Sequence, residues 1–267
     1  MLRLAYGQAD ALVFRWLDGY VQLDDAQTLR VRAALDAWFA WNRRTQLADY
    51  AALLDGIHAA VPADTTAEVV CGWWDDAKKR IDLGLEQAAP ALAGLVSTLT
   101  AAQIGNVEQR YAKSNREFTE EYLQADPSKR HREAVKRVVG RVETLYGGID
   151  DAQRERIAAW VARSPFDPEV AIEERRRRQH DTLQLLRRLN AVGPAAERTQ
   201  AEVKDYLLHL NHSPREPYRR YAERLVQHNC RLAADIHNGT TPRQRQVAVQ
   251  RLKGWATDLR ALVADAG

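Results

Sequence analysis

Apolar residues in this chain recur at three- and four-residue intervals, and no stretch alternates apolar with polar residues over a strand's length. That period allows helices and excludes a sheet. Leu12, Trp16 and Tyr20 step by four, and Val31, Leu35, Trp38 and Trp41 form a second stripe. Ile104, Val107, Tyr111, Phe118 and Tyr122 form a third, and Leu225, Leu232 and Ile236 continue the pattern late in the chain. Helix formers dominate, against 14 Gly and 9 Pro in 267 residues. Hydrophobic residues at 45% and charged residues at 28% make an ordinary globular balance, which excludes intrinsic disorder. No apolar run reaches the roughly 18 residues that a transmembrane helix needs.

Turn and cap signals divide the chain. They fall at Ala63-Asp64-Thr65, Ser97-Thr98, Asp126-Pro127-Ser128, Gly147-Gly148, Ser164-Pro165, Gly193-Pro194, His212-Ser213-Pro214 and Asn238-Gly239. Pro90 is expected to kink or split the helix that contains it. The expected fold is all-α, an elongated or curved bundle of about nine helices. It is read as one helical domain over 1–267, with 1–147 and 148–267 as two packed halves on either side of Gly147-Gly148.

The net charge of +3 is too small to imply a nucleic-acid partner. Its distribution says more. Residues 1–100 hold 9 Lys/Arg and 13 Asp/Glu, whereas 101–267 hold 30 and 23. The two halves can attract each other, or the second can face an anionic surface. The two cysteines, Cys71 and Cys230, exclude a disulfide framework and a multi-cysteine zinc site. They either pair across a very long loop or stay as two buried thiols.

One pattern occurs four times: an apolar residue (once Thr240), then Thr or Asp, two further residues and Gln. It is Leu23-Asp24-Asp25-Ala26-Gln27, Leu99-Thr100-Ala101-Ala102-Gln103, Ile149-Asp150-Asp151-Ala152-Gln153 and, more loosely, Thr240-Thr241-Pro242-Arg243-Gln244. Thr or Asp caps a helix N-terminus, and Gln three residues later bonds back to the cap's own N–H. Each such cap is worth on the order of 1 kcal/mol. The apolar residue before the cap suits a hydrophobic staple, and Pro242 stands where proline is tolerated.

The Leu-Thr-x-x-Gln signature resembles that of the Spy/CpxP-type periplasmic proteins, small helical cradles that bind unfolded clients or regulate envelope stress. Subunits there carry two such motifs. Four here imply a fused pair of such units. A second resemblance covers residues 2–190. Leu2-Arg3-Leu4-Ala5-Tyr6, Trp16-Leu17-Asp18, Asn115-Arg116-Glu117-Phe118 and Glu174-Arg175-Arg176-Arg177 are similar to an uncharacterised family of proteobacterial lipoproteins. That resemblance implies an all-helical protein on the periplasmic side of the envelope. It also implies outer-membrane anchoring through a lipidated cysteine upstream, which this chain lacks.

Five of the seven Trp lie in residues 1–74. Most serve a core, but Trp38-Phe39 and Trp73-Trp74 are adjacent pairs whose members point to different helix faces. An aromatic groove through Trp38, Trp41, Trp73 and Trp74 is therefore a candidate seat for a peptide, an acyl chain or a partner helix. In the run Glu173 to Arg178, favourable i,i+4 pairs argue for a solvated face, and Arg175, Arg176, Arg177 and Arg178 for a clamp on an acidic partner. Asn115, Glu117 and Glu121 suit a polar network better than paired catalytic carboxylates. His209, His212, His228, Cys230 and His237 lack the spacing of a metal site, so no metal and no cofactor is expected. No phosphate loop, nucleophile elbow or Cys-x-x-Cys occurs. The expected function is non-catalytic: an envelope lipoprotein holding protein clients or an envelope partner, chaperone-like, in an aromatic groove. A lipid or acyl-chain carrier and a structural scaffold are the alternatives.

Overall fold

Twelve helices account for nearly all of the residues that the computed structural model describes, 2–192 and 196–265. In chain order they are α1 (Leu2–Gly7), α2 (Ala9–Val21), α3 (Asp25–Thr45), α4 (Leu47–Ala60), α5 (Ala67–Val96) and α6 (Ala101–Tyr122). Then follow α7 (Pro127–Tyr146), α8 (Asp151–Ala162), α9 (Pro168–Val192), α10 (Ala196–Asn211), α11 (Glu216–Asn238) and α12 (Pro242–Ala264). The all-α expectation holds and the count of about nine does not. Three further breaks occur, at Gln8, at Gln22–Asp24 and at Gln46. None carries a glycine or proline. Gln22 closes α2 in the left-handed region at φ 58°, where glycine is the usual occupant. Of the kink or split expected at Pro90, the split does not occur: α5 runs through it for 30 residues. Ala89 and Ala93 beside it are buried, so packing holds α5 together where one backbone bond is missing. The expected break at Gly193-Pro194 lies outside the described residues.

The core is divided. The largest cluster joins the end of α2, the C-terminal half of α5, α6, α9 and α10 around Ala93, Ile104, Leu186 and Val203. A second joins α4 to α12 through Leu47, Ala51, Ala256 and Leu259, with Leu2 and Tyr6 of α1 against it. A third joins Val61 to Tyr146 of α7 and Leu252 of α12. The molecule exposes 15486 Å², against about 11,800 Å² for a compact chain of its mass. Helices from both sides of Gly147-Gly148 pack on one another: α4 lies along α12, and α5 along α10 and α11.

Buried polar side chains lock helix ends. His237 donates from Nε2 to the Ala63 carbonyl at 2.8 Å, so its Nδ1 accepts from the Tyr146 hydroxyl, also at 2.8 Å. This ties the ends of α7 and α11 to the α4–α5 connection. Burial pushes the Tyr146 hydroxyl up to about 12, which keeps it a donor.

Candidate functional site

All four sequence repeats start helices, as the capping pattern predicts. Asp24, Thr100, Asp150 and Thr241 each accept from the backbone N–H three residues on, and Gln27, Gln103, Gln153 and Gln244 each reach back. The tertiary structure adds a second use for these glutamines. The Gln27 and Gln103 amides face each other, donating reciprocally at 3.1 and 2.6 Å. Gln153 and Gln244 do the same at 2.9 Å in both directions. Gln27 also donates to the Thr98 carbonyl and Gln103 to that of Gln22. Gln153 donates to Gly239 and Gln244 to Gly148. Each amide thus binds the backbone two residues before its partner's cap. The two arrangements are alike, and each closes two helix starts onto one another.

The four expected tryptophans do not meet in one groove. Trp38 donates from Nε1 to the Gly84 carbonyl at 3.0 Å and packs on Phe39 and Trp41, which fastens α3 to α5. Trp73 is half-buried and Trp74 is exposed, both ten or more residues before Gly84 on α5. No ring contact links either to Trp38 or Trp41 among the described residues. Replacing Trp38 by Phe is expected to cost about 1 kcal/mol, the worth of one neutral hydrogen bond. Urea denaturation reads this directly.

The arginine run is mostly used internally. Arg175 donates to Asn115 and Ser114 and lies over Phe118. Arg177 pairs with Glu173, while Arg178 pairs with Glu174, donates to the Leu210 carbonyl and lies over Tyr218. Arg176 alone of the four is exposed with no ion-pair partner among the described residues. Asn115 does belong to a polar network, but with Arg175 and Gln179. Glu117 and Glu121 instead make long surface pairs with Lys113 and Arg137 at 4.0 and 3.8 Å. The hub that sequence reasoning missed is Glu174. Its Oε1 accepts from Arg178, Ser213 and Arg215, and it is only 3% exposed. Glu174 holds the start of α11 to α9. In sequence it was one half of an i,i+4 pair, and nothing local marks it as buried.

Two of the four apolar stripes are only partly covered by protein. On α2, Leu12 is 52% and Trp16 62% exposed, with Val13 and Leu4 also in solvent. Leu225 and Leu232 of α11 line an open groove of about 460 Å³. Helix α8 packs against both α7 and α11, and the groove is the gap between those two helices. Its apolar floor includes Val138, Val161, Phe166, Leu225 and Leu232. Arg130, His131, Arg137 and Arg141 line the α7 side, and no carboxylate is among the lining residues. Arg137 lies 4.5 Å over the Tyr122 ring. His228 faces the floor with a buried Nε2 that has no hydrogen-bond partner. Burial pushes its imidazole down from the ordinary value, Arg163 and Arg231 add to that, and a hydrogen bond to the Trp160 backbone opposes it. Sequence reading missed this face, and the helical spacing of Arg130, Ala134, Arg137, Val138 and Arg141 is the signal that could have found it.

Cys71 and Cys230 form a disulfide between α5 and α11, with Cα atoms 5.5 Å apart. That closes one of the two alternatives the sequence left open. Among the described residues no group of three or more His, Cys, Asp or Glu is placed to hold a metal. His212 pairs with Asp82 and His209 lies 3.7 Å from Asp205. Among the described residues no helix is long and apolar enough to cross a membrane.

The model of DUF6279, a family of unknown function, matches residues 19–199, about two thirds of the chain. The chain belongs to this family. The match takes in α3 through α9, and with them Gln27, Gln103 and Gln153. Gln244, Cys230 and the α11 wall of the groove lie beyond the matched segment of this DUF6279 chain. No curated protein and no solved structure matches the chain.

Proposed function

We propose that this DUF6279 protein is a non-catalytic lipoprotein of the bacterial envelope that holds exposed apolar segments of other proteins in a chaperone-like way. The observation that carries the reading is the exposed part of the stripe on α2. Leu12 and Trp16, one turn apart, expose more than half of their surface, which is unusual for large apolar side chains on a helix of this kind. Among the described residues, nine of the ten exposed large apolar ones fall between Leu4 and Leu83, so the apolar contact surface is concentrated in α1 to α5. The first hundred residues are also the acidic ones, and clients with basic flanks fit them best.

The disulfide supports the location. Two cysteines far apart in sequence that pair with each other suit an oxidising compartment such as the periplasm. Attachment to the outer membrane by an upstream lipid anchor rests on the lipoprotein resemblance.

The test is suppression of aggregation for several unrelated, chemically unfolded proteins, titrated from sub-stoichiometric to equimolar. Protection near equimolar ratio is expected. Leu12→Ser with Trp16→Ser is expected to abolish most of it while circular dichroism stays unchanged, and Trp38→Phe is expected to retain it. Absence of protection for every client, or full protection by the double variant, overturns the reading.

A further inference from the structure

The groove between α7 and α11 is independent of the α2 stripe, and its chemistry is different. One wall is cationic and the floor is apolar. Arg137 and Arg141 stand one turn apart on α7, with Arg130 two turns before Arg137. Arg137 has a single carboxylate near it, Glu121 at 3.8 Å, which is too long for a strong pair. Arg141 is exposed and has no ion-pair partner among the described residues. Arg178 and Arg215, by contrast, are neutralised by carboxylates. Here the positive charge is unspent, and the surface beneath it is Val138, Leu225 and Leu232. The volume falls in the range of small-molecule sites, roughly 300 to 1,000 Å³. A solvated ion alone has no use for the floor, and a neutral hydrocarbon has none for the arginines.

We infer that this groove binds a single-chain acyl amphiphile with an anionic head. The head sits between the Arg137 and Arg141 guanidinium groups, where planar donors suit a carboxylate or a phosphate. The chain lies along the floor between α7 and α11. A fatty acid and a lysophospholipid share this chemistry.

Calorimetric titration of the whole chain with laurate, kept below its micelle concentration, tests the inference. Saturable binding of one laurate per chain is expected. Dodecyltrimethylammonium, the same chain with a cationic head, is expected not to bind, and inorganic phosphate is expected not to displace laurate. Arg137→Gln with Arg141→Gln is expected to weaken binding at least tenfold with an unchanged circular dichroism spectrum. Leu232→Gln tests the floor separately and is expected to weaken laurate binding as well. A parallel titration with lauroyl lysophosphatidate tells the sources apart: tighter binding than laurate assigns a phosphate head, weaker binding a carboxylate, and both support the site. No saturable binding of either anionic amphiphile, equal binding of the cationic one, or an affinity unchanged in the arginine variant overturns it. An acidic amphipathic peptide that binds where laurate does not would also overturn it and assign the groove to a protein partner.

Discussion

Removing the Cys71–Cys230 bond is expected to lower the thermal midpoint by roughly 5 to 15 °C. The bond joins residues 159 apart in sequence, so it closes most of the chain into one loop. In the chain-entropy account a loop that long restrains the unfolded state by about 5 kcal/mol, and measured values for single bridges are about 2 to 4 kcal/mol. A chain of this size shifts by roughly 2 to 4 °C per kcal/mol. The bond also spans the junction of α5 and α11, and Cys230 is 3% exposed, so its loss loosens a buried helix contact. Calorimetry of the native chain, of the reduced chain and of Cys71→Ala with Cys230→Ala reads the effect. Equal midpoints in all three would show that the bridge restrains nothing. Two titratable thiols in denaturant without reductant would show that it does not form.

Replacing Gln27 by Ala is expected to destabilise the fold by about 3 kcal/mol. The substitution removes the hydrogen bond to the Asp24 N–H, the bond to the Thr98 carbonyl and both bonds to Gln103. Gln27 is 2% exposed and Gln103 7%, so the Gln103 amide keeps its bond to the Gln22 carbonyl but loses its second acceptor where water does not reach. Leaving a buried polar group unpaired costs about 1 to 3 kcal/mol by itself. A double-mutant cycle with Gln103→Ala should therefore show coupling of about 1 to 2 kcal/mol, the second substitution costing less once the first is made. The Gln153–Gln244 pair is the internal comparison. Gln153 is only half-buried, so Gln153→Ala should cost about 1 kcal/mol. Urea denaturation of the four variants decides the matter. Additive losses, or equal losses in the two pairs, would mean that these glutamines act as helix caps and nothing more.

Much of the architecture was legible residue by residue. The period of the apolar residues selected helices, and the four Asp/Thr-x-x-Gln boxes placed four helix starts to the residue. The breaks at Gln8 and Gln46 were not legible, because neither carries the usual punctuation, and of the break at Gln22–Asp24 only the Asp24 cap was legible, since Gln22 reaches the left-handed region without a glycine. The candidate sites fared unevenly for one reason. Trp38 and Arg178 have the composition of a binding surface, but each is consumed by a partner distant in sequence, Gly84 for one and Leu210 for the other.

What the sequence determined by itself is whatever closes within about four residues: helices, their capping boxes and their i,i+4 pairs. Those terms are local, so they need no knowledge of the rest of the chain. Only the tertiary structure decided which stripe is buried. Ile104 and Val107 lie in the core, Leu12 and Trp16 in solvent, and Leu225 and Leu232 on the floor of a groove, although all show the same helical spacing. Only the tertiary structure paired the glutamines two by two, joined Cys71 to Cys230 and left Arg137 and Arg141 beside an apolar floor. Burial and pairing depend on which helices meet, and that is settled by the summed packing of elements far apart in the chain, a quantity no local pattern contains.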